Sequence, residues 1–173
     1  MAASFNNKAC FMNLNFLIPE APIELDAGIS DVNFGADVKI VRPVNLYRCD
    51  IGDQVVIGPF VEIQQNVKVG KRTQIQSHSF VCEHVSIGND CFISHGVMFT
   101  NDLLKAGKPD DSPENKKSTV IEDNVTIGSN ATILPVRICS GTVIGAGTVV
   151  TRDISVPGTY AGNPARLLRK FDL

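Results

Sequence analysis

The sequence predicts an all-β protein built as a parallel β-helix, and three regularities predict it. From Ile51 to Phe99 an aliphatic or aromatic residue recurs every six positions, at Ile51, Ile57, Ile63, Val69, Ile75, Val81, Ile87, Ile93 and Phe99. Two residues before each stands a small or β-branched one: Cys49, Val55, Val61, Val67, Thr73, Ser79, Val85, Cys91 and Val97. After an interruption the cadence resumes at Ile121, Ile127 and Ile133, then at Ile138, Ile144 and Val150. Neither a 3.6-residue helix nor a long alternating strand keeps every sixth residue on one inner surface. A chain that turns a corner every six residues does, and repetition at a fixed short period marks a solenoid.

The elements follow in order. Residues 1–29 are expected to be an N-terminal arm, of which 1–22 carry no repeat and pack as an extended segment or short helix on the first coil or a neighbour. Coils run over 30–160, beginning with the six-spaced Phe34, Ile40 and Leu46. The five-residue steps Leu46–Ile51 and Ile133–Ile138 predict two tighter corners. Three hexapeptides close one triangular turn, so residues 18 apart stack on adjacent coils, with parallel strands about 4.8 Å apart. Gly52, Gly58, Gly70, Gly88, Gly128 and Gly145 each follow an inward aliphatic residue and are read as admitting a positive-φ corner. Asn66, Asn89, Asn124 and Asn130 suit corners for the same reason. Residues 101–118, rich in Lys, Asp and Pro, break the cadence and read as one extruded loop. Residues 161–173 read as a turn and a short amphipathic helix that covers the last coil's edge. The prism core is one side chain deep, so its outer aliphatic surface predicts side-by-side packing as a homotrimer.

Composition narrows the partners. The 173 residues suit one domain, 43% of them hydrophobic. Net charge is −2 with acids and bases interspersed, which favours neither a nucleic-acid nor a membrane partner. Five cysteines are an odd number, and Cys49 and Cys91 fall on inward positions, favouring a reducing cytosol over a disulfide framework. Asn13 and Asn15 interrupt the apolar stretch Phe11–Ile18, which is too short and polar for a leader or a span. The expected location is cytoplasmic.

The 18-residue rule also turns sequence offsets into neighbours. Glu83 should stack beneath Asn101, and His84 beneath Asp102, with Gln65 and Asn66 one coil lower. The loop springs from this same corner. On a different corner His95 should lie above Ser77, and His78 below Gly96. Each charge or histidine alone reads as a solvated corner residue. Their coincidence with the loop root is what points to function. Cys82 invites a nucleophile reading, but the sequence shows no base or electropositive setting for it.

The hexapeptides, together with Ala161-Gly162-Asn163-Pro164-Ala165-Arg166, resemble the left-handed β-helix acyltransferases over residues 30–170. Val44-Asn45-Leu46-Tyr47, Ile57-Gly58-Pro59-Phe60-Val61-Glu62-Ile63-Gln64, Gln76-Ser77-His78-Ser79-Phe80-Val81-Cys82-Glu83-His84-Val85 and His95-Gly96-Val97-Met98-Phe99-Thr100-Asn101-Asp102 look like N-acetyltransferases acting on nucleotide-linked 3-amino sugars. The resemblance supplies the left hand, against the usual right-handed parallel crossover. It also implies a homotrimer, acetyl-CoA as donor, and active sites between subunits. The acceptor it implies is a dTDP-3-amino-3,6-dideoxyhexose destined for surface polysaccharide.

By that resemblance Glu83, Asn101 and Asp102 line the amino-sugar site, with His84 and His78 close by. His84 joins them as a candidate catalytic group, while His78, His95 and Gln65 are candidates for binding the acceptor. Acetyl-CoA is expected along the later coils near Gly128, Ala131, Gly145 and Ala146, with Arg137, Arg152 and Arg166 as candidates for its phosphates. No metal is called for. Three alternatives stand beside this reading: an O-acetyltransferase, a non-catalytic scaffold, and a zinc carbonic anhydrase-like protein using His78, His84 and His95.

Overall fold

A computed structural model describes residues 27–104, 107–108, 112 and 117–171. The arm read over residues 1–22, and much of the loop, lie outside the described residues. The rest winds as a left-handed parallel β-helix of about seven turns. Its twenty-one strands are mostly two residues long. The hexapeptide dictates that brevity: one outward residue, one inward aliphatic, then a four-residue corner. Val56–Ile57, Glu62–Ile63 and Gln74–Ile75 each pair a partly or fully exposed first residue with a buried second.

The strands stack into three faces of seven, six and eight. The first face includes Asn45–Tyr47, Glu62–Ile63, Phe80–Val81, Met98–Phe99, Thr132–Ile133 and Val149–Val150. The second runs through Asp50–Ile51, Lys68–Val69, Val85–Ile87 and Thr119–Ile121. The third ends with Val143–Ile144, Gly158–Ala161 and Arg166–Lys170. Middle coils keep the expected offset of 18, as in Phe80 opposite Met98 and Lys68 opposite Ser86. The two five-residue steps shorten their coils to 17, as in Asn45 opposite Glu62 and Thr126 opposite Val143. Across the loop the offset becomes 34, with Phe92 opposite Thr126.

The core is the predicted column. Every sixth-residue position from Ile51 to Val150 is at most 4% exposed, and burying each such side chain contributes roughly 1.5–3 kcal/mol. Among the described residues the buried polar side chains are small hydroxyls, some of which return their hydrogen to the backbone. Thr73 Oγ1 donates to the Gly88 carbonyl at 2.8 Å and Ser79 Oγ to that of Ser94 at 2.9 Å.

Three expectations are corrected. The glycines after the inward aliphatics are not the positive-φ residues. That conformation falls two positions further on, at Gln54, Phe60, Arg72, Asp90, Asn130 and Gly147, with Asn66, His78, His84 and Asn124 at other corners. Asn89 is not among them, and its side chain instead bonds to Asp123 and to the Lys71 amide. Close approach accounts for glycine instead: a Cβ on Gly128 would lie 2.5 Å from Ala146 N, and one on Gly70 would lie 2.5 Å from Gly88 C. Second, Phe34 pairs in register with Ile51 yet remains 42% exposed, because its coil lies at the end of the stack.

The third correction concerns the C-terminus. Residues Arg166–Lys170 form a strand, not a short helix. Gly158–Ala161 extends the third face and would leave a bare edge of donors and acceptors. Gly162, at φ +99°, reverses the chain so that Arg166–Lys170 pairs antiparallel with that edge. The covering role is kept, and the backbone groups of the edge are satisfied directly.

Two outcomes follow from this packing. Gly128→Ala is expected to cost roughly 1–3 kcal/mol by overpacking, whereas Gly147→Asn, in open space at φ +67°, should be near neutral; urea denaturation measures both. Burial, reinforced by the charge of Asp50, pushes the Cys49 thiol up to about 11. The unfolded thiol loses its proton near 9 and the folded one does not, so stability should fall by about 2–3 kcal/mol between pH 9 and 11. Cys49→Val should flatten that decline in denaturation curves taken across the range.

Candidate functional site

The corner between the first and second faces carries a polar ladder. Arg48, Asn66 and His84 occupy its left-handed positions, at φ 49°, 61° and 64°. Arg48 Nη1 donates to Gln65 Oε1 at 3.1 Å, and Gln65 Nε2 donates to Glu83 Oε1 at 2.8 Å. The guanidinium thus fixes which way the Gln65 amide faces, and the amide fixes the carboxylate. The Glu83 side chain is only 15% exposed, and its second oxygen sits 3.9 Å from His84 Nε2. The Glu83 amide donates to Gln64 Oε1 at 3.3 Å, while Gln64 Nε2 donates to Glu62 Oε1 at 3.0 Å. Tyr47 lies beside them, its hydroxyl held above the ordinary phenol range by burial and then by the charges of Glu62 and Glu83.

Register carries Asn101 one rung above Glu83, because Phe80 pairs with Met98. There the chain leaves the prism. Asp102 Oδ1 accepts from the Leu104 amide at 2.7 Å, fixing the first turn of the excursion. The chain returns where the Thr119 amide bonds the His84 carbonyl at 3.2 Å. The fold therefore gathers Gln65, Glu83, His84, Asn101 and Asp102 at the loop root. A half-buried carboxylate braced on one oxygen can hold a cationic group with the other.

The corner between the third and first faces holds the second group. Ser77 Oγ meets His95 Nδ1 at 2.8 Å, which leaves Nε2 directed elsewhere. His78 stacks on Phe60, ring centroids 4.9 Å apart and planes 28° from parallel. Higher on this corner lie Ser129–Asn130 and Ala146–Gly147, whose amides continue its ladder. Of the proposed small residues, Ala131 is fully buried in the core and Gly128 is explained by coil stacking. Gly145 and Ala146 stay at the outer corner, Ala146 exposed.

The two groups occupy opposite edges of the first face. His78 and Glu83 lie five residues apart in turns on either side of Phe80–Val81, the strand of the first face that separates the two corners. One protomer does not bring them together. Among the described residues no three His, Cys, Asp or Glu side chains cluster closely enough to hold a metal ion. Cys82 is buried at 2% exposed. No helix among the described residues is long and apolar enough to cross a membrane.

The arginines divide. Arg137 is engaged, its Nε and Nη2 on Glu122 Oε1 at 2.7 and 2.6 Å. Arg152 and Arg166 line one shallow depression with Asp153, Tyr160 and Leu167. Sequence reasoning missed Arg48, Tyr47, Glu62 and Phe60 as members of these clusters. Their signal was the offset itself, since Arg48 lies 17 residues before Gln65 and Phe60 lies 18 before His78.

Comparison with known proteins agrees with the architecture. Residues 48–82 match the bacterial transferase hexapeptide (six repeats) family, and residues 118–152 match the hexapeptide repeat of succinyl-transferase. A bifunctional protein GlmU of Thermotoga petrophila is 32% identical over 137 residues, covering 73% of this chain. The chain spans only 30% of that relative's length. The polySia-specific acetyltransferase NeuO is 26% identical with a TM-score of 0.52, each chain covered to 83%. A variant of AntD, an N-acyltransferase from Bacillus cereus solved with dTDP-4-amino-4,6-dideoxyglucose and coenzyme A, shares the fold at 19% identity. Its TM-score is 0.63, with 83% of this chain and 85% of that one covered.

Proposed function

The chain belongs to the hexapeptide-repeat acyltransferases of the left-handed β-helix class, and from that premise we propose that it moves an acetyl group from acetyl-CoA to the amine of a nucleotide-linked amino sugar. The braced carboxylate of Glu83 beneath Asn101 at the loop root is the observation that carries this reading. AntD, which shares the fold, is an N-acyltransferase bound to such a sugar and to coenzyme A.

The chemistry needs a neutral amine near the thioester carbonyl, a hydrogen-bond donor for the developing oxyanion, and a proton acceptor. Glu83 and Asp102 attract and orient the sugar ammonium, and Asn101 supplies an amide to the amine or hydroxyls. Once the ammonium has given one proton to solvent, the neutral amine nitrogen attacks the carbonyl carbon, a tetrahedral adduct forms, and the C–S bond breaks to release the CoA thiolate. The nitrogen's proton passes to His84 or to the departing sulfur. Orientation of two bound reactants supplies much of the rate. Coenzyme A runs up the corner past Gly145 and Ala146, its phosphates toward Arg152 and Arg166. Arg137 is less available to them because Glu122 already holds it.

The placement of the two groups on opposite corners of the first face supports a trimer. In a trimer the His78–His95 corner of one subunit faces the Glu83 corner of the next, and the site is completed between copies. Transfer to a hydroxyl is the second reading, because the carboxylates of Glu83 and Asp102 and the amide of Asn101 can hydrogen-bond a hydroxyl acceptor as well as an amine.

A thiol-release assay with acetyl-CoA tests the proposal against amino-sugar nucleotides and hydroxyl acceptors. Turnover of hydroxyl acceptors alone would reject the amine. Asn101→Ala and Asp102→Ala should each lower kcat/KM at least tenfold, with stability changed by no more than about 0.5 kcal/mol. Unchanged kinetics in both would remove this corner from the site. A loss of kcat in His84→Ala that exceeds any rise in KM identifies the imidazole as the base; near-normal turnover assigns the proton to sulfur.

A further inference from the structure

We infer that the Phe60–His78 ring stack is a platform for the heteroaromatic base of the nucleotide-linked acceptor; the inference rests on the function proposed above. Phe60 is 57% exposed, an unusual state for a phenyl ring at a corner. It also holds φ +59°, a conformation that suits Asn or Gly far better than a bulky residue. Other left-handed corner positions carry Gln54, Arg72, Asp90, Asn66 and Asn124, so nothing in the winding itself asks for a ring here. Backbone strain borne by an exposed aromatic is a pointer to function.

The next rungs complete the argument. His78 sits directly above Phe60, at φ +63°, and the two rings are nearly parallel. Above His78 the equivalent position is Gly96, at φ +67°, which has no side chain to continue the stack. The ring ladder therefore stops one rung short, and the upper face of His78 meets no side chain from that rung. The Oδ1 of Asn130, the next residue in this column, lies close to the point that a Gly96 Cβ would occupy. An amide edge thus borders this position, and His95, next to Gly96 in the chain, is tethered beside it to Ser77 through Nδ1. A planar base lies on such a platform, and amide and imidazole serve its polar edge. Both the acceptor nucleotide and the adenine of coenzyme A carry such a base. The coenzyme path proposed above passes Ala146, three coils above His78 on this corner, which leaves the lower platform to the acceptor.

Calorimetric titration of the full-length protein with dTDP, UDP and coenzyme A tests this in wild type, Phe60→Asn, His78→Asn and the ring-restoring Phe60→His. Asparagine keeps the left-handed corner while removing the ring. The expected result is at least a tenfold weaker dTDP or UDP affinity in both Asn variants and recovery in Phe60→His. Coenzyme A affinity and Tm should be unchanged. Equal nucleotide affinity in wild type and both Asn variants would overturn the platform. So would loss of coenzyme A affinity in place of nucleotide affinity, or a fall in oligomer mass showing that the rings contact a second copy. Efficient acetylation of a base-free amino-sugar phosphate would overturn the platform and spare the acyltransferase. Ring-dependent dTDP binding without thiol release from any acceptor would do the reverse.

Discussion

The vertical spacing of the coils governs everything else in this molecule. Backbone amides of one coil bond carbonyls of the next throughout the stack, so adjacent coils sit about 4.8 Å apart. At that distance a side chain has two neighbours fixed by sequence arithmetic, one above and one below. Inward positions become a column of aliphatics. Corner positions become columns whose chemistry each coil sets with one residue. Glycine recurs where a corner of one coil nearly touches the backbone of the next, which is why Gly70 and Gly88 follow each other in the stack.

Columns differ in what their rungs do for one another. Arg48, Gln65 and Glu83 form a chain in which each group orients the next, so the carboxylate arrives at the loop root with its direction set. A hydrogen bond inside such a network is worth more than an isolated surface contact. Phe60, His78 and Gly96 form the opposite kind of column, one that stops. A ladder left incomplete offers its last rung to whatever comes from outside, whereas a completed ladder such as the aliphatic core offers nothing.

Most of the fold was legible because a six-residue period has one structural solution. The two five-residue steps were legible for the same reason and appear as coils of 17. What failed was local. Glycine was assigned to positive φ because that is its commonest use, but the φ pattern is set by corner geometry and lands on Gln54, Phe60 or His78 regardless of residue type. The amphipathic look of Arg166–Lys170 fits a helix, yet the open edge at Gly158–Ala161 competes for the same segment and wins. At the site, the offset of 18 found Gln65, Glu83 and Ser77–His95, while the 17-residue step that brings Arg48 onto Gln65 was overlooked. Side-chain direction and the pairing of Arg137 with Glu122 lay beyond them, since exposed rotamers answer to neighbours that periodicity does not name.

The loop shows why this architecture tolerates chemistry grafted onto a corner. Register before the excursion is 18 and across it 34, so the excursion adds 16 residues, 34 minus 18. Immediately afterwards Val85 pairs with Thr119 and Ile87 with Ile121, and the column of aliphatics continues without a fault. Closing a longer loop costs little more entropy than closing a short one, growing only with the logarithm of its length. The prism therefore pays almost nothing for the insertion, provided the two ends leave and rejoin one corner. That condition puts the loop's root beside Glu83 and His84. A winding that fixes those side chains to within a rung thus admits an insertion beside them without losing their register.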